Sequence, residues 1–474
     1  MTDINPRLSL TTDQMRDLGY RTVDIIVDHL AGLRQKPVSG GATRAELEPV
    51  FREPIPETGT DPHEVLRIVE EKILAGNMHL DHPRFFAFVP GPGGFIGAMA
   101  DALASGFNVF ASTWLEGPAA TEIELVTIDW LCRVFGMPPE AGGLFVSGGS
   151  AANLTALMAA RHGLLGDDFG DGVVYYSDQT HSSVTRALSV LGFAPDRIKI
   201  LPADEHFQID PARLSAEIAR DRGRGRRPFC VVANAGTTNT GAVDPLRELS
   251  AITAREGMWL HVDGAYGASA ILSERGRPLL SGISACDSLA VDPHKWLFCP
   301  FEIGCGIVRD ASLLKDTFHI MPEYLKDAEM IARPFNFCDY GIQLTRSFRA
   351  LKLWMTLKIF GLNAIREAVT IGIQNAEVAE RIINESPNWE VVTPARLGVV
   401  TFRTAAGGMT RAEADRFHHS IVRRLIDDGF AFLSSTVLLG ETVLRMCTIN
   451  PNTTEQDIRD TIAHLDAIVE KLLK

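Results

Sequence analysis

The chain has 474 residues, 46% hydrophobic and 22% charged, with a net charge of −13. That length exceeds one compact core, so two or three domains are expected, and the acidic balance argues against nucleic acid and anionic membrane as partners. Seven scattered cysteines with no CxxC pair fit reduced thiols in a cytoplasmic protein, and the opening MTDINPRLSL lacks the character of a secretion signal.

Residues 11–35 read as an amphipathic helix. Thr11 and Gln14 have capping-box spacing, and Met15, Leu18, Ile26, Leu30 and Leu33 recur at helical intervals. Residues 37–60 are rich in Pro, Gly and Glu and read as an extended linker. A second helix is expected to begin at Asp61-Pro62 and to stop at Gly76-Asn77. Two helices and a linker enclose no core, so this segment must pack on something else. The most apolar stretch, 93–112, contains Asp101 and Asn108 and is not read as a membrane span.

From about residue 85 to 360 the pattern alternates. Strands are expected at 173–176, 198–201, 229–233, 259–262, 288–291 and 306–308, with helical stretches between most of them. This is the signature of an α/β fold with a mainly parallel sheet covered by helices. The basic run from Arg222 to Arg227 is short and lies between a helix and a strand. It reads as a solvated loop rather than an anion site. A helix containing Phe348 to Phe360 leads into the last part of the chain. There, strands at 399–402 and 443–447 alternate with helices at 410–428 and 453–473, a small α+β domain. No internal repeat or low-complexity tract is present.

Four stretches carry chemistry. In DSLAVDPHKW (287–296) a short apolar strand ends at Lys295, beside tryptophan. A desolvated lysine amine has a depressed pKa and attacks carbonyls, which suggests a Schiff base with an aldehyde cofactor such as pyridoxal phosphate (PLP). A lysine whose head reaches solvent fits the same residues. In MWLHVDGAYG (258–267) a strand brings Asp263 to its carboxyl end, where ligands of parallel sheets sit. An acid there would keep a pyridinium nitrogen protonated, and Ala265 would leave room for a flat ring. An aspartate capping a turn is the plainer reading. In GGLFVSGGSAANLTALMAARHG (142–163) a strand runs through Ser147-Gly148-Gly149-Ser150 into a helix, an arrangement suited to a phosphate. It lacks the GxGxxG spacing of a dinucleotide site. In YYSDQTHSSVTRA (175–187) His181 opens a helix, where its ring could stack on a cofactor. No metal site is expected.

HPRFFAFVPG, STWLEGPAATEIE, SDQTHSSV, NAGTTNTGAVD, WLHVDGAYG, DPHKW, PEYLKD and RSFRALKLW follow one another between about residues 75 and 360. In this order they resemble the group II PLP-dependent amino-acid decarboxylases, most closely the aromatic-L-amino-acid decarboxylase branch. The resemblance implies a type I PLP-dependent transferase-like fold and three parts. Residues 1–85 would be a helical segment packing on the partner subunit of a homodimer. Residues 86–360 would be the PLP-binding α/β domain, and 361–474 the small C-terminal domain.

The resemblance also assigns roles. Lys295 would hold PLP, Asp263 the pyridine nitrogen and His181 the ring face. Gly149 and Ser150 would cradle the phosphate, with Thr238 and His294 nearby. Asp292 stands where some relatives have asparagine. Tyr324, in a long loop, would donate a proton to Cα and so favour amine over aldehyde, because relatives with phenylalanine there use oxygen and form aldehydes. The substrate pocket would include Leu80, Phe88, Val89, Gly91 and Thr345. Phe110 and Ser112 would come from the partner chain. Thr345 points toward phenolic or phenyl substrates, whereas Val89 and Ser112 leave space for an indole. Arg84 keeps an acidic substrate open. The expected reaction is decarboxylation of an L-amino acid, aromatic by resemblance, with an oxygen-dependent aldehyde synthase as the alternative.

Overall fold

The computed structural model describes residues 8–39, 41–89, 91–320, 335–405 and 407–474. The N-terminal helix Thr12–Gly32 opens with the expected capping box between Thr11 and Gln14. The stretch expected to be a linker is not wholly extended. It contains helix Arg44–Phe51, opened by a second capping box between Thr43 and Glu46. Asp61 caps helix Pro62–Ile68, and its carboxylate accepts from the N–H groups of His63 and Glu64.

The large sheet contains β1 (Gly142–Val146), β2 (Gly172–Ser177), β3 (Ile198–Leu201), β4 (Arg227–Asn234), β5 (Trp259–Asp263), β6 (Ser288–Val291) and β7 (Gly304–Val308). Their spatial order is β1-β7-β6-β5-β4-β2-β3. β2 through β6 pair in parallel, and β7 runs antiparallel to both of its neighbours. The inner strands are apolar and buried along almost their whole length, as a sheet covered on both faces requires. Helix Gly149–Leu165 packs across β5, β6 and β7, and helices Pro211–Gly223 and Leu246–Glu256 pack on β4.

A second sheet contains β8 (Trp389–Arg396), β9 (Val399–Thr404), β10 (Ser434–Leu438) and β11 (Glu441–Cys447) in the antiparallel order β10-β11-β9-β8. Helices Arg411–Asp428 and Glu455–Leu473 join it to form the small C-terminal core. Helix Ala350–Glu385 connects the two sheets and is broken at Gly361, whose φ of 75° favours glycine.

The N-terminal segment is stitched to this C-terminal unit. Val38 N–H donates to the Gly429 carbonyl, Phe86 N–H to the Phe432 carbonyl, and Arg34 pairs with Asp457. Two arginines of the basic run are paired locally. Arg226 pairs with Asp196 and Asp221, and Arg222 with Glu256.

Candidate active site

The parallel register of β5 and β6 sets Asp263 beside Ala290, close to where β6 ends. The chain then turns through Asp292 into the single-turn helix Pro293–Trp296, which starts with proline at its first position. Trp296 anchors this turn. It is fully buried, stacks on Tyr266 at 5.2 Å, and lies against Gly372 where a Cβ would meet its ring at 3.1 Å. Lys295 is thereby directed inward, with Nζ 2.9 Å from Asp292 Oδ2. Asp292 is buried, and its Oδ1 has no hydrogen-bond partner among the described residues. His294 donates from Nδ1 to the Ile303 carbonyl at 2.7 Å. Burial, assisted by the Lys295 charge, holds its imidazole below the ordinary range, and Asp292 opposes that shift.

Asp263 is buried at the carboxyl end of β5. Its Oδ2 accepts from Asn153 Nδ2 at 3.0 Å and its Oδ1 from the Ala265 N–H at 3.2 Å. His181 caps helix Ser182–Val190, its Nδ1 accepting from the Ser183 N–H at 3.2 Å. Gly149 opens helix Gly149–Leu165 against Ala265 and Asp292. A Cβ there would lie 2.9 Å from the Cβ of one and from Oδ2 of the other, so glycine is needed for the approach. Among the described residues no side chain caps this helix, which leaves its first N–H groups for another acceptor.

These groups share one cavity of about 330 Å³, within the range of small-molecule sites. Its wall includes Gly149, Ser150, His181, Thr238 and Asp263. Ala265, Asp292, His294 and Lys295 complete the cofactor set expected from the sequence. A larger cavity of about 820 Å³ is walled mainly by apolar side chains such as Trp130, Leu272 and Leu357 and includes neither Lys295 nor Asp263. The smaller cavity fits PLP chemically. It offers an amine, a buried acid and an uncapped helix N-terminus for the phosphate.

The expected substrate residues are more dispersed, and none of the seven lies on the wall of this cavity. Gly91 runs against the Lys295 backbone, where a Cβ would sit 2.0 Å from that carbonyl oxygen. Arg445 bridges Phe88 to the cavity by donating to the carbonyls of both Phe88 and Thr238. Leu80, Phe88 and Thr345 are exposed, Val89 and Phe110 half-buried, and Ser112 buried with its hydroxyl unpartnered among the described residues. Arg84 is engaged elsewhere: Nε donates to the Phe430 carbonyl at 2.8 Å, and the guanidinium lies 4.4 Å over the Phe430 ring. Tyr324 lies outside the described residues. The chain on either side of that stretch is joined by His319 and Asp339, 3.1 Å apart.

Sequence reasoning missed Asn153, Ser183, Asn234 and Glu302, all on the cavity wall. Asn153 had a readable signal. It lies one turn beyond Gly149 on the buried side of its helix, and a buried amide needs partners.

Together these features define a PLP enzyme built on a mainly parallel sheet. The family model "Pyridoxal-dependent decarboxylase conserved domain" matches residues 45–405. The chain belongs to that family: it is a PLP-dependent amino-acid decarboxylase, a carboxy-lyase. It is 47% identical to an aromatic-L-amino-acid decarboxylase of Bacillus atrophaeus over 471 residues, covering 99% of this chain and 98% of that one. It is 31% identical to a phenylacetaldehyde synthase of Arabidopsis thaliana, covering 95% of each. The crystal structure of Oryza sativa TDC with PLP and tryptamine superposes with a TM-score of 0.93 at 30% identity, covering 99% of this chain and 100% of that one.

Proposed function

We propose that this chain converts aromatic L-amino acids to amines and CO2, acting as a cytoplasmic homodimer with PLP on Lys295. The observation that carries the site assignment is the convergence of Lys295, Asp263 and the uncapped Gly149–Ser150 turn on one cavity. Identity with the Bacillus enzyme supports the aromatic substrate. So does the engagement of Arg84 with Phe430, which removes the cation proposed for an acidic side chain.

When bound, PLP supplies the sink for the electron pair left at Cα as CO2 departs. Lys295 provides the attaching amine. Asp263 holds a proton at the ring nitrogen and is itself fixed by two donors. His181 lines the cavity, where its imidazole would face the cofactor ring, and the first turn of helix Gly149–Leu165 would hold the phosphate. Tyr324 delivers the proton to Cα.

Exposed apolar side chains of the N-terminal segment, among them Met15, Tyr20, Val27, Val65 and Leu74, support its burial against a second copy. Free, mostly buried cysteines support a reducing compartment. The likeness to the Arabidopsis phenylacetaldehyde synthase supports the aldehyde synthase reading. A screen of phenylalanine, tyrosine, tryptophan and glutamate that quantifies amine, aldehyde, peroxide and CO2 decides. Amine equal to CO2 from an aromatic substrate is expected. Aldehyde with peroxide, or turnover of glutamate alone, would replace this reading.

A further inference from the structure

Behind Asp263 lies a series of side chains that the chemistry above does not use. Alternation along β5 puts Trp259, His261 and Asp263 on one face. β6 contributes Ser288 and helix Gly149–Leu165 contributes Asn153. Trp259 Nε1 lies 2.7 Å from Ser288 Oγ, and Ser288 Oγ 2.8 Å from His261 Nδ1. His261 Nε2 lies 2.9 Å from Asn153 Oδ1, and Asn153 Nδ2 lies 3.0 Å from Asp263 Oδ2. Asn153 Nδ2 also reaches Ser183 Oγ at 3.0 Å, and that hydroxyl lies 2.8 Å from His181 Nδ1. No member between Trp259 and Asp263 is more than 7% exposed.

Donor and acceptor chemistry gives this series one direction. An Asp263 carboxylate only accepts, so Asn153 must turn its NH2 toward it. The Asn153 oxygen then faces His261, whose Nε2 must carry a hydrogen. An indole N–H only donates, so Ser288 receives from Trp259 and passes its own hydrogen to His261 Nδ1. Burial pushes His261 down to about 4, against the opposing pull of Asp263, which agrees with an uncharged ring. On the other branch, the second Asn153 hydrogen goes to Ser183. The Ser183 hydroxyl and N–H both donate to His181 Nδ1, which leaves the His181 ring hydrogen on Nε2.

We propose that Asn153 is a positioning residue: its one amide, set in orientation by Trp259, Ser288 and His261, fixes the Asp263 carboxylate and the His181 ring relative to each other. This rests on the reading that Asp263 and His181 face the cofactor ring. A simple packing role would need only an apolar side chain of similar volume at residue 153. The geometry instead uses both amide hydrogens and the amide oxygen.

The test compares holoenzymes carrying Asn153→Leu, His261→Leu, His261→Gln and Asp263→Asn, alongside nitrogen-15 NMR of histidine in the wild-type apoprotein. Asn153→Leu should lower kcat by about 10- to 100-fold, the scale of one lost hydrogen bond to a charged group. KM should change much less, and PLP should dissociate faster. His261→Gln keeps an N–H for the Asn153 oxygen and should retain more activity than His261→Leu. His261 should show hydrogen on Nε2 alone, unchanged from pH 6 to 8. Hydrogen on Nδ1 overturns the proposal. So does wild-type kcat and PLP retention in Asn153→Leu while Asp263→Asn is impaired. An unimpaired Asp263→Asn would sink the underlying role of Asp263 instead, and the NMR result would still report on the amide's orientation. If Asn153→Leu does not fold, the two His261 variants decide, and equal activity in both overturns the proposal.

Discussion

Asp263→Asn separates the two things that Asp263 does. Its oxygens accept from different donors, Asn153 Nδ2 at 3.0 Å and the Ala265 N–H at 3.2 Å. Asparagine has one oxygen and one NH2, so either orientation sets a donor against a donor. At 7% exposure there is little solvent to relieve the mismatch, which costs about 1–3 kcal/mol. That corresponds to about 5- to 150-fold in an equilibrium constant. It falls on folding and PLP retention, read by apoprotein melting and a PLP titration. Separately, the substitution removes the negative charge at the ring nitrogen. The resulting loss of turnover should be on the order of 10²–10⁴, the range of positioned acid–base groups. Amine formation at saturating PLP measures that second loss alone. Near-normal turnover under those conditions would refute the role given to Asp263, even if melting had fallen as expected.

Tyr324→Phe should divert product rather than slow every step equally, because the ring is kept and only the O–H is lost. CO2 release should continue at a reduced rate while aldehyde, ammonia and peroxide appear in air. Amine as the sole product in air would remove Tyr324 as proton donor. Arg346→Met should destabilise by about 3–5 kcal/mol, since Arg346 pairs with fully buried Glu124 and also donates to the Ala111 and Phe145 carbonyls. Adding Glu124→Gln should recover part of that loss, and denaturant melts of the single and double variants check it. Deleting residues 1–76 strips the exposed apolar side chains of that segment from whatever they cover. The shortened protein should aggregate or lose activity in sedimentation and turnover assays, and an active soluble monomer would contradict the homodimer.

What could be read from the sequence follows physical rules. The inner strands β2 and β4 to β7 were legible because a sheet covered on both faces demands continuous apolar runs. β8 was not, because it is an edge strand, half-buried, register-shifted and interrupted by Pro394. Helix Arg44–Phe51 was hidden in a polar, proline-rich stretch, although Thr43 and Glu46 spell its cap.

In the site, residues that close motifs were visible, whereas the residues that orient them were not. Asp263 could be picked out at a strand end. His261, two residues earlier on the same face, closes no motif, and only the packing of helix Gly149–Leu165 brings Asn153 against it. Arg84 shows the converse. Its charge suggested a substrate contact, and only the position of Phe430, distant in sequence, reveals its partner.

Reductive labelling identifies the lysine that holds the cofactor. The holoenzyme is reduced with borohydride, digested and mapped by mass. One phosphopyridoxyl group is expected, on the peptide containing Lys295, whose amine lies beside Asp292 in the cavity. A label on another lysine, or none on a protein that retains PLP and turns over substrate, would contradict it.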